Sequence, residues 1–255
     1  MKTPDLINKI ARHLRLATIL LLAATLTTTT FPTLANPPTP TKVSPKIRWK
    51  PPTPPSSLGI PGNRAQGGGT RGCQPYRGIT ALVPKLPGQI AWGQTIADRP
   101  TVWLNAPQGL APDLLMEIAV REQNGQLVAK QSSTTKRKIL SGAIGITFPP
   151  TAVLKLDRTY HWAVAFYCDT NDRVDRPFLV QGQIGRIAAP TALTTTKSPL
   201  ESIQILAENG IWYDALTQLG NRFRHTKDRE TATTWAALLK SAGINGGSKI
   251  QDCCQ

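Results

Sequence analysis

The chain has 255 residues, 40% of them hydrophobic and 18% charged, the proportions of one ordinary globular domain with an appendage. Its net charge of +15 favours anionic partners: acidic polysaccharide, lipid headgroups, cell-wall polymer or nucleic acid. No GxSxG or HExxH motif is present, and only three histidines, so the common hydrolytic constellations are missing.

Residues 1–35 read as a secretory signal peptide. Lys2, Lys9, Arg12 and Arg15 form a positive start, Leu16 to Leu26 is an apolar run, and Thr33-Leu34-Ala35 closes it at a residue suited to cleavage. The run is too short to span a bilayer, so no transmembrane helix is expected after cleavage; a retained membrane anchor is the alternative. Removing the leader's four basic residues and Asp5 from the net +15 leaves +12. Export to the periplasm or beyond puts envelope polymers ahead of nucleic acid as partners, and it places the cysteines in an oxidising compartment.

Residues 36–72 are rich in Pro and then Gly and read as a basic linker without a core, stiff where Pro dominates. Lys42, Lys46, Arg48 and Lys50 make the stiff half a positive rod. Gly67, Gly69 and Gly72 match a dinucleotide fingerprint in spacing only, since no strand precedes them and no helix follows.

Residues 73–190 carry short alternating runs separated by turn residues, and the expected fold is an antiparallel immunoglobulin-like β-sandwich of about seven strands. The strands are "ITALVP", "PTVWLNAP", the two halves of "LLMEIAVREQNGQLVAKQ" hinged at Asn124-Gly125, "GAIGITFP", "TYHWAVAFYCD" and "RPFLVQGQIGRI". In "TYHWAVAFYCD" the period of two puts Tyr160, Trp162, Val164, Phe166 and Cys168 on a buried face and His161 on the other. That separates His161 from Cys168 and disfavours a catalytic dyad. Tyr160 occupies the position of a tyrosine corner. Asp169, Asn171, Asp172 and Asp175 follow in a loop whose spacing misses a calcium motif, with Arg173 and Arg176 opposing a cation.

Residues 198–243 read as a small helical segment. Ser198, Pro199 and Glu201 suggest an N-cap, a first-turn Pro and a capping box. Ile211 or Trp212, then Ala215, Leu216, Leu219 and Phe223 recur at helical spacing, as do Ala232, Trp235, Ala236 and Leu239, while Gly210 and Gly243 end helices. "LAENGIWYDAL" resembles one tetratricopeptide-type helical hairpin, too few for a solenoid, so the helices are expected to pack on the sandwich. The tail, 244–255, carries two adjacent cysteines.

Cys73, Cys168, Cys253 and Cys254 are disulfide candidates with three possible connectivities. Cys253 and Cys254 could each reach a different partner and staple the tail to the domain; a vicinal bond with Cys73 joined to Cys168 is the alternative. No metal or cofactor is expected. Candidate binding residues are Lys136, Arg137 and Lys138, on an exposed loop after a hairpin, and Trp212 and Tyr213 as an aromatic anchor for an exported protein partner. Asp214 beside these aromatics is the most suggestive acid for an alternative reading, a hydrolase acting on polysaccharide or cell wall through carboxylates. The expected function is a non-catalytic exported module that binds an anionic envelope polymer or a protein partner; the oligomeric state is left open.

"GCQPYRGITALVP", "RPTVWLNAP", "LDRTYHWAVAFYCD", "VQGQIGRI", "AENGIWYDALTQL", "WAALLKSAG" and the closing "CC", in this order, resemble the cyanobacterial family catalogued as domain of unknown function 928. The resemblance runs from about Gly72 to Cys254. It implies an exported cyanobacterial protein and supplies no activity, ligand or catalytic residue.

Overall fold

The computed structural model describes residues 47–55, 58, 73–86, 90–168, 177–196 and 198–253. The leader, residues 36–46, Gly67 to Gly72 and the acidic loop 169–176 lie outside them.

A short 3-10 turn (Gln74–Tyr76) leads into β1 (Thr80–Ala81), β2 (Lys85–Leu86), β3 (Ile90–Thr95), β4 (Thr101–Ala106), β5 (Leu115–Glu122), β6 (Leu127–Thr134), β7 (Gly142–Thr147), β8 (Arg158–Tyr167) and β9 (Phe178–Arg186). The helices are α1 (Ala192–Thr195), α2 (Pro199–Glu208), α3 (Trp212–Thr226) and α4 (Arg229–Ser241). The protein is therefore mainly β with C-terminal helices. A three-stranded antiparallel sheet has the order β1-β4-β7, and a six-stranded sheet the order β2-β3-β9-β8-β5-β6.

The six-stranded sheet is mixed, because β3 runs parallel to β9 with Trp92 opposite Gln183. This corrects the wholly antiparallel expectation. The stretch "IAWGQT" is broken by Gly93 and does not read as a strand, yet a side chain there is what the fold excludes. A Cβ on Gly93 would lie 3.1 Å from Trp212 Cβ and 3.2 Å from Tyr213 Cε2, so glycine lets α3 approach the strand.

The period-two reading of β8 holds for Tyr160, Trp162, Val164 and Phe166, which are at most 2% exposed and join one continuous core with β4, β5, β7, β9 and the helices. Cys168, expected on the same face, lies past the end of the strand and is only partly buried, while Ala165 on the other face is buried too. The Tyr160 hydroxyl accepts a hydrogen bond from Lys155 N at 2.9 Å, tying the strand's start to the preceding turn. Asn124-Gly125 turns the β5–β6 hairpin, where Glu122 N–H bonds Gln126 O at 2.9 Å and Asn124 Oδ1 accepts from Gln126 N.

The helices depart from expectation in detail. Ser198 stands at the N-cap of α2 and Pro199 opens it, but Ser198 makes no capping bond and Glu201 accepts from the Thr196 hydroxyl instead. In α4 the buried face is Thr231, Thr234, Trp235, Leu238 and Leu239, whereas Ala236 is exposed. The cap of α4 is Asp228, which accepts from Thr231 N. Its carboxyl is held down to about 2 by the Thr226 hydroxyl and then the Thr231 N–H.

The largest correction concerns the linker. Residues 47–55 do not hang free: Ile47 is 4% exposed, Trp49 N donates to Ser241 Oγ, and Lys50 N donates to Ala207 O. The Trp49 ring meets Trp212 edge-on at 5.8 Å, and Leu58 packs with Leu86 and Trp92. Isolated aromatic and aliphatic residues within a Pro-rich run are enough to dock it, because its proline backbone has little conformational entropy left to lose.

Candidate functional site

Strands β6 and β7 are each the last strand of their sheet, and between these two edges lies a cavity of about 510 Å³. Its apolar floor is Ile118, Ile139 and Ile146, and Gln131, Ser133 and Thr134 stand along the β6 side. The turn from β6 to β7 closes one end. Thr135, 4% exposed, accepts from Leu114 N at 2.9 Å and donates to Ala111 O at 2.6 Å. Ile139 exchanges two 2.9 Å backbone bonds with Leu110. Gly109 makes that approach possible at φ +73°, since a Cβ there would sit 2.1 Å from Ile139 O.

Between these two anchors the chain must bulge outward, and the three residues on the bulge are Lys136, Arg137 and Lys138. All three are exposed, and the ion pairs among the described residues involve none of them. Lys136 and Arg137 line the cavity. The loop is therefore a pinned cationic rim and not a floppy connector.

The opposite wall comes from the far end of the chain. Arg224, in the last turn of α3, lies with its Cζ 4.9 Å from the centroid of the Trp103 ring, a cation–π arrangement. Its Nη1 donates to Asn221 Oδ1 at 3.2 Å. Nε and Nη2 are buried without a hydrogen-bond acceptor, and Nε stands 3.8 Å from Asp252 Oδ1, within ion-pair reach but beyond hydrogen bonding. Burial lowers the Arg224 pKa, and Asp252 opposes that shift. The Asp252 side chain is 56% exposed and also faces Lys227 Nζ at 3.6 Å. The tail that carries Asp252 is laid beside β7 by Ala143 N to Lys249 O at 2.6 Å and Gln251 N to Ala143 O at 2.8 Å.

Trp212 and Tyr213 are not surface anchors. They are 0% and 1% exposed, because the first turn of α3 plugs into the β3–β9 pair where Gly93 leaves room. Trp212 Nε1 donates to Leu82 O at 2.8 Å. The Tyr213 hydroxyl accepts from Trp162 Nε1 at 2.9 Å and donates to Gln183 O at 3.0 Å. Burial pushes the Tyr213 pKa far up, against the smaller opposing effect of the Trp162 N–H.

Asp214 likewise serves the joint. Its Oδ2 accepts from Ile96 N at 3.1 Å. Burial raises its pKa, while the bonds from Thr95 and the Ile96 backbone oppose the rise. Arg222, on the same helix, donates through Nε to Thr231 Oγ1 at 2.9 Å. His161 is half-buried on the outer side of β8, with its pKa lowered by burial.

Cys73 and Cys168 form a disulfide with Cα atoms 5.3 Å apart, which removes Cys168 as a nucleophile. The expected staple, with Cys253 and Cys254 reaching separate partners, is thereby overturned: backbone bonding beside β7 holds the tail. Cys253 is also disulfide-bonded, and Cys254 lies outside the described residues.

Arg224 and Asp252 were missed by sequence reasoning. An arginine in the last turn of a helix and an acid in a polar tail are ordinary at those places, and only the fold brings both to the loop at 136–138.

Residues 66–251 match the family described as Domain of Unknown Function (DUF928). The chain belongs to the DUF928 family. The docked segment 47–55 precedes the matched region, whereas the basic loop, Arg224 and nearly all of the cavity fall within it. Comparison with curated proteins gives no match. No helix among the described residues is long and apolar enough to cross a membrane.

Proposed function

We propose that this DUF928 protein is an exported, non-catalytic module that binds an anionic envelope polymer through the cationic rim at Lys136, Arg137 and Lys138. The observation that carries the reading is the pinned loop: three exposed cations between Thr135 and Ile139, none in an ion pair among the described residues, two of which, Lys136 and Arg137, line a cavity. Unpaired cations on a fixed rim raise the local concentration of a polyanion. The signal peptide reading and the basic mature chain, +12 by sequence, fit a periplasmic or extracellular setting.

The strand order supports an immunoglobulin-like sandwich for the β part, with Tyr160 in the corner role. The α2–α3 pair around Gly210 supports a single tetratricopeptide-type hairpin. Binding of a protein partner through Trp212 and Tyr213 is dropped from the proposal, since both rings are buried. The hydrolase reading loses its best acid, because Asp214 is engaged with the Ile96 N–H.

The test is retention on an anionic polysaccharide matrix across a salt gradient. Exposed charges act over about 8 Å at physiological salt, so elution is expected at moderate salt, and earlier for the variant with Lys136, Arg137 and Lys138 all changed to Gln. Equal elution of the two proteins removes the loop from the binding surface.

A further inference from the structure

The cavity behind the basic rim has a composition that a general attraction to polyanions does not require. Loop cations exposed to solvent suffice for such a field, yet this site also holds a guanidinium withdrawn from water. The Arg224 side chain is 12% exposed, backed by the Trp103 ring, and its closest anion is Asp252 at 3.8 Å. A guanidinium this desolvated gains from a carboxylate brought into direct contact. The chain supplies only a distant, half-exposed one on its tail. Asp252 is thus a loosely held internal carboxylate at a site that accommodates a better one.

The remaining walls indicate what carries that carboxylate. Gln131 and Ser133 offer an amide and a hydroxyl from one edge strand, and the isoleucine floor offers an apolar surface opposite. No aromatic side chain lines the cavity among the described residues, so a nucleobase finds no ring to stack on. The volume falls in the range of small-molecule sites, about 300–1,000 Å³. Alternating hydroxyls, a carbon-rich ring face and a carboxylate are together the chemistry of an acidic sugar.

Resting on the polymer-binding reading above, we propose that the cavity between β6 and β7 is a subsite for one carboxylate-bearing sugar unit of the polymer, with Arg224 receiving the carboxylate and Asp252 as the internal competitor it displaces. Lys136 and Arg137 at the rim then draw in the charged chain, and the buried Arg224 selects the unit that enters. Attraction and selection are carried by different residues.

The experiment is calorimetric titration of the full chain with trigalacturonate, beside its neutral counterpart trigalactose and a sulfated galactose trimer. Trigalacturonate is expected to bind and trigalactose not. Arg224→Gln is expected to weaken trigalacturonate binding at least about tenfold, the loss typical of a charge-assisted bond, while the variant protein still elutes from the anionic matrix in a salt-dependent way. Asp252→Asn is expected to tighten binding about threefold, as removal of a weak exposed ion pair allows. Because Arg224→Gln also removes a contact with Trp103, Ser133→Phe provides a second variant: Ser133 is exposed on an edge strand, and the ring fills the cavity without entering the core. Its loss of trigalacturonate binding at an unchanged melting temperature supports the subsite. Unchanged affinity in both Arg224→Gln and Ser133→Phe overturns the subsite and leaves the salt-dependent rim standing. Preference for the sulfated trimer overturns the carboxylate assignment. Loss of salt-dependent retention in the unsubstituted protein overturns the polymer reading itself.

Discussion

The joint between the helices and the sheets and the wall of the cavity between β6 and β7 both bury polar groups, and they differ in the charge of those groups. At the joint, Trp103, Trp162, Trp212 and Trp235 are fully buried, and each indole N–H has an acceptor: Thr217, Tyr213, Leu82 O and Gly247 O respectively. At the cavity, the Trp103 ring carries a guanidinium with two buried nitrogens lacking acceptors, and the rim cations have no counter-ion among the described residues. A buried polar group left unpaired costs stability. Unpaired polar atoms also occur at the joint, on Trp49, Trp92 and the Gln183 side chain, but those groups are neutral. At the cavity the unpaired group is a cation beside further exposed cations, and there an anionic partner has something to gain.

The strongest test of that contrast is Trp162→Ala. It removes a ring that is 1% exposed, leaves the Tyr213 hydroxyl without its donor, and is expected to cost about 3–5 kcal/mol by chemical denaturation, the range for aromatic truncation in a core. A cost below about 1 kcal/mol would mean that the joint collapses onto the gap or carries little of the fold. Next in size is Tyr213→Phe, which keeps the packing and removes one oxygen. Trp162 Nε1 then loses its acceptor and Gln183 O its donor, so a loss of about 1–3 kcal/mol is expected. Combined with Trp162→Phe in a double-mutant cycle, the two changes should be clearly non-additive, because they share that bond.

The same contrast explains what was legible in the sequence. The buried face of β8 was readable because alternation over ten residues leaves one consistent solution. The Asn124-Gly125 hairpin was readable because its turn chemistry is local. Strand β3 was not, since the feature that makes it work, the absent side chain at Gly93, looks like a break until α3 is seen against it. Trp212 and Tyr213 were misjudged for a related reason: aromatics at the start of an amphipathic helix face a core or a partner equally well by periodicity, and burial chose the core. The segment at 47–55 reads as unable to bury anything because composition averages over Ile47 and Trp49, the two residues that dock. The rim at 136–138 was legible as a charge run, but its rigidity depends on Thr135 and Ile139 bonding residues about 25 positions earlier in the chain. Arg224 and Asp252 left no local pattern at all.

The smallest expected effect is at Asp214, an ionisable group sealed at the edge of the joint, and it sharpens the comparison through its pH dependence. Burial raises its pKa above the ordinary 3.8, so the folded state holds the proton more tightly than the unfolded chain does. Between 3.8 and the raised value the native state binds more protons, and stability falls as pH rises through that window before levelling off. Asp214→Asn removes the titration and keeps an oxygen to accept from Ile96 N. The variant is expected to match the natural protein below pH 3.8 and to gain relative to it as pH rises, by a few degrees at most in melting temperature. The Asp228 cap does not mask this. Its pKa is lowered to about 2, so its contribution is present above 3.8 and is lost only as pH falls from there towards 2. A variant that instead loses stability steadily above pH 3.8 would show that the ionised Asp214 carboxylate stabilises the joint, and its bonds to Thr95 and Ile96 would then outweigh burial.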